Sequence, residues 1–329
     1  MIKNKTILTR LGNAALMTLI ILFASTALCH AQTKVKIGMS SSSSWIPIQI
    51  AVEKGFFKQR GLDAEIQLLA SAPDTAKALV VGELDFAALA VERSVQATQQ
   101  GKQIFNVLTI QTLPPSAILV TKNSTFKAGD FKSLKGKTVG VVFGGWSEVL
   151  VRYMLKKNNM AWEDINVLST ANPSTMISAL QSGQVDALSA IEPVQSTVIA
   201  NNSAKVFFDM EDPETAKTSW PNPFVATTLQ ATAAFVKKNP LIVKAVVEAS
   251  AEGLKYVLSN QASVAADLAK KNVDTPADVW TVVISRLSNT WSPDGAIEPK
   301  GYVNVQNVLV ENGKLDKALP VEEVIYQAN

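Results

Sequence analysis

The sequence predicts an α/β fold of two lobes, each a mainly parallel sheet covered by helices, joined by a hinge of two strands. Three observations predict it. Strand-like and helix-like stretches alternate over short connections from Lys34 to about Phe208, the pattern of parallel sheets with helices on their faces. The order then proves to be duplicated, because Ala78-Leu79-x-x-Gly82-x-Leu84-Asp85 recurs as Ala179-Leu180-x-x-Gly183-x-Val185-Asp186, 101 residues on with the same internal spacing. Length agrees: removing residues 1–31 from 329 leaves 298, which suits two lobes of about 100 to 200 residues.

Residues 1–31 have the three parts of a secretory signal: a basic start (Lys3, Lys5, Arg10), an apolar stretch from Ala14 to Leu28, and a small-residue exit, Cys29-His30-Ala31. The apolar stretch is shorter than the ~20 residues of a bilayer-spanning helix. Cleavage near Gln32 and export to a Gram-negative periplasm are expected. Leu28 stands where lipoprotein signals carry a small residue, which argues against a lipid anchor on Cys29.

In the first copy the pattern predicts a strand over Val35–Met39, a helix over Ile46–Gln59, a strand over Ala64–Leu69 and a helix over Pro73–Val81. Leu84–Leu89 is then a strand, Glu92–Gln100 a helix and Ile104–Ile110 a strand. After Gly136 the second copy runs through strand Thr138–Val142, helix Trp146–Asn158, strand Ile165–Leu168, helix Pro173–Gln181, strand Val185–Ser189, helix Pro193–Asn201 and strand Lys205–Phe208. One physical reading covers both motif copies: a helix ends on a glycine that accepts a left-handed cap, and the chain drops into a buried strand.

Routing follows. Ala117–Thr121 is expected as a strand leaving the first lobe, and Phe131–Gly136 as a turn into the second. Trp220-Pro221-Asn222-Pro223 is a rigid return, since each proline fixes its own φ and restricts its predecessor. Phe224–Gln230 is the strand that comes back. Asn239-Pro240 caps and opens a helix to Leu258, and helices over 261–271, 276–288 and 298–312 complete the first lobe. The expected lobes are 32–121 with 223–329, and 122–222.

With the signal go all its basic residues, Lys3, Lys5 and Arg10, so 31 basic residues become 28 against 28 acidic ones. A neutral chain argues against nucleic acid or anionic membrane as partner. Cys29 and His30 are the only cysteine and histidine. Their loss removes thiolate and imidazole chemistry, disulfides and ordinary zinc sites together, and neither metal nor cofactor is expected.

Ligands of open α/β sheets gather at the carboxyl ends of strands, where loops enter helix N-termini. Ser41, Ser43, Ser44 and Trp45 form such a loop in the first lobe, and Gly144, Gly145, Trp146 and Ser147 the matching turn in the second. Glu92 and Glu192 each follow the strand after the shared motif. Capping explains both; facing a cleft, they suit an ammonium, an amidine or a hydroxyl, or acid–base work. Tryptophan supplies a flat wall with one N–H, and the matched turns favour a cleft role for Trp45 and Trp146.

Ala51-x-Glu53-Lys54-Gly55-Phe56-Phe57-x-x-x-Gly61-Leu62 resembles the opening signature of periplasmic substrate-binding proteins of the nitrate, sulfonate and taurine type, a group that also holds thiamine-pyrimidine-precursor binders. The repeated motif and Asp186-Ala187-x-x-x-x-Glu192-Pro193 match the same group, with Ile191 in place of its tryptophan. The resemblance implies a type II-like periplasmic-binding-protein fold that closes over a small solute and delivers it to an ABC permease and its ATPase. It places ligand loops at Ser41–Trp45, Ser71, Ala90–Glu92, Gly144–Ser147, Glu192 and Trp220–Asn222. Nitrate binders and pyrimidine synthases of the group use a histidine that the cleaved chain lacks, which disfavours both.

The expected function is capture of a small organic anion or zwitterion, sulfonate-like or taurine-like, by a monomer without catalysis. Two alternatives stand beside it. One is a binder of a pyrimidine or other heteroaromatic amine; the other is a secreted carboxylate-dependent dehydratase or hydrolase.

Overall fold

The repeat in the sequence becomes a repeat of strand order. In the first sheet β1 (Thr33–Ser40), β2 (Leu62–Leu69), β3 (Phe86–Ala90), β4 (Ile104–Gln111) and β10 (Thr227–Thr232) stand in the order β2-β1-β3-β10-β4. In the second, β5 (Ala117–Thr121), β6 (Thr138–Val141), β7 (Asn166–Ser169), β8 (Ala187–Ala190) and β9 (Ala204–Asp209) stand in the order β7-β6-β8-β5-β9. These come from a computed structural model that describes residues 32–40, 42–170, 172–272 and 275–326. The expected export signal and Ser41 lie outside the described residues.

Each sheet is parallel except for one strand, β10 in the first and β5 in the second, which runs antiparallel between its neighbours. Ala117–Thr121 therefore corrects the expectation: it belongs to the second sheet, between β8 and β9. Hydrophobic pattern marks a buried strand, but all its neighbours are distant in sequence, so pattern alone does not choose its sheet. The chain crosses between sheets at Thr112–Ser116 and again at Trp220–Ala226.

The shared motif does the same work twice. Gly82 (φ 80°) and Gly183 (φ 74°) take the left-handed conformation at the ends of α2 (Ala72–Val81) and α5 (Pro173–Gln181). Three residues on, Asp85 Oδ2 accepts a hydrogen bond from the Lys36 N–H and Asp186 Oδ2 one from the Thr138 N–H, both at 2.8 Å. Each aspartate thus pins the start of the third strand to the first, at mid-strand in one lobe and at the strand's start in the other. Leu84 and Val185 lie over Gly38 and Gly140, where a Cβ would come within 2.2 Å of Leu84 Cδ1 and 3.2 Å of Val185 Cγ1.

The remaining helices are α1 (Ile46–Glu53), α3 (Val91–Gln99), α4 (Trp146–Lys157), α6 (Val194–Ala200), α7 (Pro213–Ser219), α8 (Ala233–Lys238), α9 (Pro240–Ser259), α10 (Gln261–Lys271), α11 (Ala277–Ser288) and α12 (Pro299–Glu311). The first helix stops at Glu53, short of Gln59, because Gly55 turns left-handed (φ 78°). The short helix α7 was not expected. The return strand starts at Thr227 instead of Phe224, since Phe224, Val225 and Ala226 are buried in the packing around Trp146.

Ile37, Ile48, Phe86, Leu108 and Leu229 form the first-lobe core with Val246 and Leu254 of α9 and Val283 and Ile284 of α11. The last helix does more than complete the first lobe: Tyr302, Val305, Val308 and Leu309 of α12 are buried in one cluster with Val91 and Val95 of α3 and with Val139, Leu150 and Met154 of the second lobe. Among the described residues no helix is long and apolar enough to cross a membrane.

Candidate functional site

Helices α2 and α5 begin behind capping side chains: Ser71 accepts from the Asp74 N–H and Asn172 from the Thr175 N–H. Helices α3 and α4 do not. Their N-caps, Ala90 and Gly145, supply no side-chain acceptor. Both helices start just beyond the carboxyl ends of strands, one in each lobe, so their positive dipole ends favour an anion there, although the Val91 N–H already donates to the Ala226 carbonyl at 3.1 Å.

The two starts meet. Arg93, in the first turn of α3, donates from Nη2 to the Gly144 carbonyl at 2.6 Å, joining the first lobe to the turn before α4. Gly144 is left-handed (φ 72°), and a Cβ there would lie 2.9 Å from the same Nη2. The Gly144 N–H donates to Glu148 Oε2 at 2.9 Å, and Glu148 also holds Arg152 at 2.8 Å and Lys314 at 2.5 Å. Burial opposes the charge on Glu148, but Lys314, the Gly144 N–H and Arg152 together hold its carboxyl below the usual range.

Glu92 is buried beside this contact, 3.5 Å from Arg93. Burial pushes its carboxyl up to about 7, against the pull of Arg93 and Lys314. It neither caps its helix nor stands exposed. Ala90 is engaged through its carbonyl, which accepts from Gln230 Nε2 at 3.0 Å.

Glu192 has different company. Its carboxylate accepts from Ser196 Oγ at 2.8 Å, from the Ser196 N–H at 3.1 Å and from Arg286 Nε at 2.9 Å. The expected contact with a solute amine is thus occupied by an arginine of α11. Glu211, nearby, is pushed up to about 8 by burial and by the charge of Glu192.

The tryptophans correct the sequence expectation most. Trp45 is 5% exposed in the first-lobe core, and Trp146 is 6% exposed with its Nε1 donating to the Ala226 carbonyl at 2.9 Å. Trp220 packs edge-on against Tyr153 and Phe224, and Trp146 against Phe224. Ring area is worth more inside the hinge than at its surface. Ser43 and Ser44 are buried, and the Ser44 carbonyl accepts from Trp291 Nε1 at 3.1 Å. Ser147 accepts from the Val142 N–H and donates to the Ser189 carbonyl, while Asn222 is exposed.

The contacts therefore join Glu92 to the Gly144 turn through Arg93 and tie Glu192 to α11, while Ser71 caps α2 and the serine loop is held by Trp291. The exposed aromatic at a strand end is Phe143, 51% exposed after β6, which sequence reasoning missed. Arg93 was missed too, although a cation in the first turn of a helix opposes the dipole and signals another role. Arg286 carries no local signal, standing 94 residues from its partner.

Comparison with known proteins agrees with this architecture. The NMT1/THI5-like family profile matches residues 42–264. YtlA of Bacillus subtilis, described only as a binding protein, is 25% identical over 324 residues, 96% of this chain and 95% of its own. The 4-amino-5-hydroxymethyl-2-methylpyrimidine phosphate synthase THI12 of Saccharomyces cerevisiae is 28% identical over 160 residues, 49% of this chain and 46% of that one. Among solved structures, the periplasmic aliphatic sulphonate binding protein SsuA of Escherichia coli superposes with a TM-score of 0.73 at 21% identity, covering 90% of this chain and 92% of that one. The periplasmic nitrate-binding protein NrtA of Synechocystis gives 0.71 at 19%, covering 89% and 86%. The fold is that of periplasmic binding proteins, and the chain belongs to the NMT1/THI5-like family.

Proposed function

We propose that this protein is the solute-binding component of an ABC importer, exported to the periplasm, where it captures a small organic anion or zwitterion of sulfonate or taurine type and passes it to a permease with its ATPase. One observation carries the reading: Arg93 of α3 meets Gly144 before α4, so two uncapped helix starts from opposite lobes converge beside a guanidinium. Their field favours an anionic group. Glu92, uncharged below about pH 7, does not cancel it, and the charge of Glu148 in the first turn of α4 is met by Arg152 and Lys314. Support also comes from fold neighbours whose names state a sulfonate ligand, among them the alkanesulfonate-binding SsuA of Xanthomonas axonopodis bound to MOPS. Phe143 offers an apolar surface at the end of β6 for the rest of such a solute.

The second reading, a pyrimidine or other heteroaromatic amine, is favoured by the family match and by the yeast synthases within it. A carboxylate-driven enzyme fits less well, because Glu192 is engaged by Arg286 and Ser196 while Glu92 sits apart beside Arg93. Calorimetric titration with alkanesulfonates, taurine and aminopyrimidines tests the choice. One-to-one heat with a sulfonate or taurine is the expected result. Binding confined to aminopyrimidines overturns the anion reading, and turnover lost in Glu92→Gln or Glu192→Gln overturns binding without catalysis.

A further inference from the structure

Helix α11 belongs to the first lobe by its packing, since Val279, Val283, Ile284 and Leu287 are buried in that core. Its Arg286 faces the other way and reaches the second. Nη1 and Nη2 donate to the two oxygens of Asp209 at 2.9 and 3.1 Å, Nη2 donates to Gln195 Oε1 at 2.8 Å, and Nε donates to Glu192 Oε1 at 2.9 Å. Glu211 Oε2 lies 3.1 Å from Nε. A planar fork used on both edges fixes direction as well as charge.

The same stretch of chain also holds the hinge. Asn289 Nδ2 donates to the Glu211 carbonyl at 3.1 Å, and the Thr290 carbonyl accepts from the Thr112 N–H at 2.7 Å, in the first crossing segment. Within five residues, 286–290, the first lobe grips both the second lobe and the segment about which the lobes turn. Three carboxylates around one guanidinium are a poor way to gain stability, because apolar groups of the same volume do as well. The arrangement instead defines one orientation.

We propose that Arg286 is a positioning residue for solute capture: by gripping Glu192, Asp209 and Gln195 across the hinge, it sets the angle at which the two lobes stand and so the separation of the loops that meet at Arg93 and Gly144. The word solute rests on the function proposed above; the angle does not.

The test therefore reads the angle without ligand. Spin labels on Lys77→Cys and Ser178→Cys, matched exposed positions of α2 and α5, are placed in a Cys29→Ser background. The expected result is one narrow inter-label distance in the parent and a broad or shifted one in Arg286→Ala, narrowed again by millimolar methylguanidinium but not by methylammonium. Should Arg286→Ala fail to fold, Asp209→Asn removes one prong of that contact and its charge and is expected to broaden the distribution in part. An unchanged distribution in the folded variants overturns the proposal. The second arm titrates whichever sulfonate or pyrimidine the parent binds, and expects roughly tenfold weaker affinity in Arg286→Ala through a population shift away from the competent angle. Changed distances with unchanged affinity overturn the role in capture. If the parent binds none of these solutes, the function reading fails while the distances still decide the role of Arg286.

Discussion

The two lobes share strand order, a glycine-capped helix, an aspartate pin and an antiparallel strand in the same slot, yet the third strand of each leads to a glutamate in different company. Glu92 in the first lobe is buried next to Arg93, whose guanidinium is spent largely on the Gly144 carbonyl. Glu192 in the second has Arg286 and both donors of Ser196. The motif residues do the same work in both copies because that work is local: a cap, a pin, a close approach. The glutamates diverge because their partners come from elements outside the repeat. Duplication preserved the scaffold, and the parts appended to it, α11 and the segment around Lys314, gave each copy its own electrostatics.

The comparison breaks most visibly with pH. Glu92 keeps its proton to about pH 7 in the folded protein, against an ordinary value near 4.5. Its contribution to stability is therefore complete below about pH 4.5 and lost as the pH rises through 7, a change of about 3 kcal/mol at 1.36 kcal/mol per unit. Urea unfolding at pH 5 and pH 8 is expected to show a loss in the parent that is smaller by that amount in Glu92→Gln. In the second lobe the corresponding proton sits on Glu211, raised to about 8, so Glu211→Gln is the variant that removes the slope there, over a window reaching one unit higher.

A smaller effect separates the two close approaches. Gly38→Ala is expected to cost about 2 kcal/mol through overpacking against Leu84, and Gly140→Ala less, since its tightest contact would be 2.9 Å to Leu188 Cδ1 instead of 2.2 Å to Leu84 Cδ1. Leu84→Val, which installs the residue type of the second copy, is expected to recover part of the loss in Gly38→Ala. Equal costs in thermal unfolding, with no recovery, would show that the neighbours do not control these sites.

The smallest prediction sharpens the likeness. Asp85→Ala and Asp186→Ala each remove one charge-assisted bond to a strand N–H, and each is expected to lose about 1 kcal/mol. Denaturant titration that finds one variant neutral would mean the pin matters in only one lobe.

What could be read from the sequence was what neighbouring residues decide. The alternation of strands and helices and the glycine caps at Gly82 and Gly183 stand in the structure. What could not be read depends on distant chain. Ala117–Thr121 has the composition of a buried strand in either sheet, and only the positions of β8 and β9 decide which. Trp45 and Trp146 stand at loop positions in sequence, but loops at a hinge are themselves covered, and both rings went inside. Arg286 and Lys314 have no pattern that links them to Glu192 and Glu148. Of the candidate site, the glycine turn and the helix starts were legible, while the cations that complete them were not.

The last helix has a consequence for how the molecule is made. Val305, Val308 and Leu309 are buried with residues of both lobes, and β10, which stands inside the first sheet, is synthesised only after every strand of the second. A nascent chain that has not yet reached Thr227 has its first sheet divided around a missing strand, and one that has not yet reached Pro299 still lacks the helix buried between the lobes. Cooperative packing is thus deferred until translation is nearly over. A polypeptide built in this order closes its packing with its last helix, so truncation ahead of Pro299 uncovers buried surface of both lobes at once.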